Sequence, residues 1–123
     1  MRLNQVTFPS RDLSASIAFY QTLGFALIVK SDHYARLENP HDDSTLSLEL
    51  TNAPAADGAH VYFECENLDE TVTALKNKGI VFDSGPEDKR WLWREAWLSD
   101  PSGNKLCLYY AGDNRRFPPW RIK

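Results

Sequence analysis

Thr45-Leu46-Ser47-Leu48-Glu49-Leu50 is the stretch on which the reading of this chain turns. Leu46, Leu48 and Leu50 fall on one side of a two-residue period, with Thr45, Ser47 and Glu49 on the other. Such alternation marks a strand with one face on an apolar core. The second face carries one carboxylate among small hydroxyls. If that face meets bulk water, Glu49 calls for no explanation. If the sheet curls so that the face lines a cup, Glu49 becomes a candidate ligand or base.

Upstream, Leu3 to Phe8 alternates in the same way, and Pro9 is expected to end that strand. A helix follows, capped by Ser10 or Asp12, with Leu13, Ile17 and Tyr20 as its apolar stripe and Gly24 just past its end. Phe25 to Val29 and Tyr34 to Glu38 read as strands, and Pro40 to Ser44 as a turn. Downstream, residues 53–57 read as a linker, and then the order starts again. Ala59 to Glu66 is strand-like, Asn67 with Glu70 resembles a capping box, and Leu68, Val72 and Leu75 form the next stripe. Ile80 to Phe82 is expected as a short strand, Gly85 to Lys89 as a polar turn, and Trp91 to Leu98 and Lys105 to Tyr110 as strands around an Asp100–Asn104 turn. The layout strand, helix, three strands thus occurs twice, in 1–52 and in 58–112, within one domain. Residues 113–123 form a tail whose Phe117-Pro118-Pro119-Trp120 looks suited to docking.

The totals narrow the function classes. A chain of 123 residues buries roughly two thirds of its unfolded surface, enough for a core without staples. The formal charge of −3 offers no electrostatic footprint for nucleic acid. No apolar run approaches the roughly 18 residues of a membrane span, no signal peptide is evident, and two cysteines are too few for a disulfide scaffold. A cytoplasmic location is the expectation. Four Trp, five Tyr and six Phe are more aromatics than a small core needs, so part of them should line something.

The phase of four strands can be asked at once. In each, the apolar set must face its module's helix, because a one-residue slip would put it in water. That sends Gln5, Glu49 and His60 to the opposite face, and Cys107 with them, since Leu106 and Leu108 are the apolar pair of the last strand. Cys65 has the opposite phase from Cys107, which argues against a disulfide. Glu64 shares the phase of His60 but lies roughly 13 Å further along, too far for the same ion. Ala96 and Leu98 suit the helix side, sending Trp93, Glu95 and Trp97 the other way.

Here a resemblance enters. Met1-Arg2-Leu3-Asn4-Gln5-Val6, Arg11-Asp12-Leu13-Ser14-Ala15-Ser16-Ile17-Ala18-Phe19-Tyr20 and Leu23-Gly24-Phe25 resemble the opening of the vicinal oxygen chelate superfamily. Its members include glyoxalase I, extradiol dioxygenases, fosfomycin-resistance transferases and bleomycin-resistance proteins. Gly58-Ala59-His60-Val61 and Asp100-Pro101-Ser102-Gly103-Asn104-Lys105-Leu106-Cys107-Leu108 resemble its second half. The resemblance implies an α+β fold of paired βαβββ modules, whose curled mixed sheet surrounds a cup with the helices on the outer face. It also implies a homodimer and a divalent metal (Zn, Ni, Mn, Co or Fe) held at the positions of Gln5, Glu49, His60 and Cys107. The last is a departure, because metal-dependent members carry Glu there, and in glyoxalase I that Glu is also the base.

Each residue has a plainer reading. Gln5 is a solvated strand residue or a weak ligand; Glu49 is a solvated carboxylate or a ligand and base. His60 is a strand-start histidine or a ligand, and Cys107 an apolar filler or a thiolate. Tyr62, Trp93, Trp97 and Tyr109 line the pocket wall or bury a dimer interface. Arg94 binds a carboxylate or phosphate, or pairs Glu95 or Asp100. Two functions follow: a metal-dependent enzyme of lyase, isomerase or dioxygenase type acting on neighbouring oxygens of a small molecule, or a metal-free binder that sequesters an aromatic or planar ligand. A purely structural dimerisation module leaves Glu49 and His60 on one face without a reason.

Overall fold

The computed structural model describes residues 1–53 and 58–122. Most of the expected linker therefore lies outside the described residues. The chain forms two compact units, Met1–Gly58 with Asp100–Asn104, and Ala59–Ser99 with Lys105–Lys123. Each is a βαβββ module.

The first unit contains β1 (Gln5–Ser10), α1 (Leu13–Thr22), β2 (Ala26–Lys30), β3 (Tyr34–Glu38) and β4 (Thr45–Leu50). Its sheet order is β1-β4-β3-β2, with β1 parallel to β4 and the other pairs antiparallel. Leu46 and Leu48 are buried with Phe8, Ala35 and Leu37, and the α1 stripe of Leu13, Ile17 and Tyr20 is buried too. Burying a Leu of this kind contributes about 1.5–3 kcal/mol. Leu50, at the end of the same alternation, stays exposed. Asp12 caps α1, its carboxylate accepting from the Ala15 amide at 3.1 Å. Gly24 ends the helix at φ +110, a conformation that a β-carbon would oppose.

Pro9 does not end β1. The strand continues to Ser10, with Pro9 opposite Glu49. Because β1 is an edge strand, the missing proline N–H breaks no ladder bond on its open side.

The second unit contains β5 (Val61–Glu64), α2 (Leu68–Asn77), β6 (Ser84–Asp88), β7 (Arg94–Ser99) and β8 (Lys105–Tyr110). Its order, β5-β8-β7-β6, repeats that of the first, again with one parallel pair. Leu68, Val72 and Leu75 of α2 and Ala96, Leu98, Leu106 and Leu108 of the sheet are buried. Asn67 is the N-cap of α2, but its side chain makes no capping bond, so the capping box does not form.

The largest difference from expectation lies between α2 and β7. Ile80 to Phe82 is not a strand; the strand is Ser84–Asp88, where a polar turn was expected. Gly85 and Pro86 mark a register irregularity between Ser84 and Glu87 opposite β7, and β6 is an edge strand that tolerates it. The turn comes later, where the Leu92 amide donates to the Lys89 carbonyl at 3.0 Å. Leu92 has φ 69, an unusual conformation for a branched residue. β7 accordingly starts at Arg94, leaving Trp91 on the turn and Trp93 just before the strand.

Candidate functional site

The polar face of the second sheet is built in cross-strand rows. Tyr62, Cys107, Trp97 and Ser84 are level with one another across β5, β8, β7 and β6. Glu64, Tyr109, Glu95 and Glu87 form the next row. Directly opposed residues share a face, so this side gathers three aromatics, a thiol and three carboxylates.

These aromatics fix one another. The Tyr62 ring lies edge-on to Trp93, Trp97 and Tyr109, with centroids at 5.8, 5.5 and 5.6 Å. Trp93 stacks on Tyr109 at 4.7 Å and 18°. The indole N–H of Trp93 donates to the Asn114 carbonyl at 3.3 Å, so a short 3-10 turn at Gly112–Asn114 holds that ring from behind. Beyond that turn Phe117 and Trp120 are more than half exposed in the single chain, and the Arg121 guanidinium sits 4.6 Å over the Phe117 ring.

Tyr62, Lys89, Trp91, Trp93, Glu95 and Trp97 line an open cavity of about 490 Å³. Glu95 is 3% exposed. Its two carboxylate oxygens accept from the indole N–H groups of Trp91 at 2.6 Å and Trp97 at 2.9 Å. Lys89 is held at the rim by Glu87, 3.1 Å away. Burial, then the charge of Glu95, push the Cys107 thiol up to about 12. Burial also raises Tyr62, with the neighbouring Cys107 and Glu95 adding to it, and it raises Tyr109, with Glu64 adding to it. At neutral pH both phenols and the thiol are therefore uncharged.

Of the expected wall, Tyr62, Trp93 and Trp97 line this cavity, while Tyr109 lies behind Trp93. Two liners were not expected, Trp91 and Lys89, and Glu95 was expected on this face but not as part of the wall. Glu95 had the right strand phase and shares its face of β7 with Trp97, but its second indole partner, Trp91, depends on a turn whose position the sequence concealed. Arg94 faces away and pairs Asp69 of α2 and Asp88 of β6, not Glu95 or Asp100.

The four expected metal positions divide between the units. In the first, the Gln5 side-chain oxygen accepts from the Thr45 hydroxyl at 2.8 Å. Gln5 is level with Thr45 and Glu49 with Pro9, four register steps apart, which is roughly 13 Å along the strands. Two side chains so separated reach a common ion only when both are stretched to their limit. The Ser47 hydroxyl between them is buried and bonded to that of Thr7. In the second unit His60 is exposed just before β5, its ring edge-on to Trp97 at 5.2 Å. Cys107 is a buried free thiol whose ionisation is disfavoured by burial, at the position where the resemblance implies a carboxylate. Among the described residues no group of three or more His, Cys, Asp or Glu side chains could hold a metal ion. Within the first unit, the separation of Gln5 and Glu49 does not fit a pair holding the divalent ion that the resemblance implies.

Comparison with known proteins agrees with the fold. The model of the Glyoxalase/Bleomycin resistance protein/Dioxygenase superfamily matches residues 2–108. A bleomycin resistance protein of Klebsiella pneumoniae is 31% identical over 111 residues, 81% of this chain and 85% of that one. The crystal structure of a glyoxalase/bleomycin resistance protein/dioxygenase from Nocardioides superposes with TM-score 0.79 at 23% identity, covering 100% of this chain and 90% of that one. A bleomycin-binding protein, crystallised with bleomycin, superposes with TM-score 0.73 at 26% identity, over 89% of this chain and 98% of that one. With that extent of match in sequence and in both βαβββ modules, this chain belongs to the glyoxalase/bleomycin resistance protein/dioxygenase superfamily.

Proposed function

We propose that this protein binds a small organic molecule by a flat aromatic group seated among the indoles of the second module, as a drug-sequestering protein does, with bleomycin as the first ligand to try. The observation that carries this reading is the cavity of about 490 Å³ walled by Trp91, Trp93, Trp97 and Tyr62. Its size falls within the roughly 300–1,000 Å³ of small-molecule sites. Ring-on-ring contacts contribute about 0.5–1.5 kcal/mol each beyond the area they bury, and the edge-on packing around Tyr62 holds the rings in place before a ligand arrives. The likeness to a bleomycin resistance protein and to a bleomycin-binding structure supports the same reading.

The metal-dependent lyase, isomerase or dioxygenase expectation gains no support from the placement of Gln5, Glu49, His60 and Cys107, and no step is routed through a metal. A cytoplasmic homodimer belongs to the reading, with sedimentation equilibrium as the check on oligomeric state. The test of binding is titration with metal-free bleomycin, followed by tryptophan fluorescence. Wild type should quench to saturation. Trp93→Ala, which removes one stacking partner, should weaken binding by about tenfold, on the order of 1.4 kcal/mol. Absence of quenching with bleomycin and with a panel of planar aromatics, or equal affinity in Trp93→Ala, would overturn the proposal.

A further inference from the structure

We infer that Glu95 gives this cavity a charge preference, so that its ligand is an aromatic cation rather than a neutral or anionic ring. This rests on the aromatic-ligand reading above and narrows it.

The chemistry of the lining sets the sign. Each indole has one donor and no acceptor. The N–H groups of Trp91 and Trp97 are spent on Glu95, and that of Trp93 on the Asn114 carbonyl. All three indoles therefore have only carbon rings left to offer. An anionic ligand finds one cation among the cavity-lining residues, Lys89, which Glu87 already holds at 3.1 Å. A cationic ligand finds electron-rich ring faces and a carboxylate at the same place.

Glu95 itself is under-satisfied for a buried acid. A carboxylate has about four lone-pair sites, and Glu95 receives two neutral N–H donors while being 3% exposed. No ion pair reaches it among the described residues. Summed over Glu95, Lys89 and Glu87, the lining and its rim carry a surplus of negative charge. Burial is the main cause that raises the Cys107 thiol and the Tyr62 phenol, both level with Trp97 in the neighbouring row, and the charge of Glu95 adds to each. A buried charge with incomplete pairing is costly, and a ligand that brings the opposite charge offsets that cost only when bound. The free protein thus keeps Glu95 as a discriminating element, rejecting anions as well as attracting cations.

The test uses three probes of one size and three charges, 1-methylquinolinium, 1-methylnaphthalene and 1-naphthoate, measured by equilibrium dialysis against the full chain. Wild type should bind the quinolinium at least tenfold more tightly than the neutral naphthalene, and naphthoate most weakly. Glu95→Gln removes the charge and keeps one acceptor oxygen for the indoles. It should bring the cation-to-neutral ratio to within threefold of one. Equal binding of cation and neutral ring by wild type, or an undiminished ratio in Glu95→Gln, overturns the charge preference and leaves the aromatic-ligand reading standing. Failure of all three probes and of bleomycin to bind overturns that reading instead. If Glu95→Gln does not fold, the wild-type order decides: a quinolinium preference below tenfold over the neutral ring, or naphthoate bound more tightly than the neutral ring, overturns the inference.

Discussion

Tyr20→Phe removes a single oxygen from the centre of the first unit, and its cost can be worked from the contacts that oxygen makes. Tyr20 is fully buried. Its ring stacks on Phe8 at 6.1 Å and meets Phe19 and Phe25 edge-on, contacts that phenylalanine keeps. Its hydroxyl donates to Asp100 at 2.7 Å. Burial, reinforced by the neighbouring Asp100, pushes that phenol far above the usual tyrosine range, so it is always a donor here. Asp100, 4% exposed, also accepts from the Ser102 and Asn104 amides at 2.9 Å each and from the Asn104 side chain at 2.7 Å. A hydrogen bond to a charged group contributes about 1.5–3 kcal/mol. Because Asp100 keeps three other donors, the lower half of that range applies, so Tyr20→Phe should cost about 2 kcal/mol, or roughly 8 °C in Tm. Asp100→Ala strands the tyrosine hydroxyl and the two amides at once and should cost about 3–5 kcal/mol. The two losses overlap, so the double variant should be less destabilised than the sum by about 1–2 kcal/mol. Urea unfolding of the four proteins reads this directly. A Tyr20→Phe loss below about 0.5 kcal/mol, or strict additivity, would refute the account of Asp100 as the shared acceptor.

Two further outcomes follow from the second unit and from the donor geometry. Cys107 ionises near its ordinary value of 9.0 when unfolded but near about 12 when folded; the unfolded chain therefore loses its proton first, and stability should fall as pH rises from 9 toward 12. Cys107→Ala should flatten that fall in part, the raised Cys65, Tyr20, Tyr62 and Tyr109 accounting for the rest, and the Cys107 thiol should react with a disulfide reagent far more slowly in native than in unfolded protein; equal rates at that thiol would count against its burial in the neutral form. Repletion with zinc, nickel, manganese, cobalt or ferrous iron should leave Tm unchanged, whereas a specific ion at a hundred times its dissociation constant would add about 2.7 kcal/mol and contradict the misfit of Gln5 and Glu49.

The sequence by itself determined the doubled βαβββ layout, the two apolar helix stripes and the phase of β4, β7 and β8, because each follows from a period, while it left the α1 cap open between Ser10 and Asp12. It went wrong where local chemistry and long-range pairing compete. Pro9 reads as a stop, yet an edge position lets β1 continue; Gly85 and Pro86 read as a turn, yet pairing with β7 makes them an irregularity within β6. The cavity was half legible. Tyr62, Trp93 and Trp97 have the right phase, but phase says nothing of position along a strand, which is what separates Gln5 from Glu49. Nor does it reveal that the Lys89–Leu92 turn returns Trp91 to Glu95. Only the tertiary structure decided those points, since register and side-chain reach depend on residues far apart in the chain, which no local pattern records.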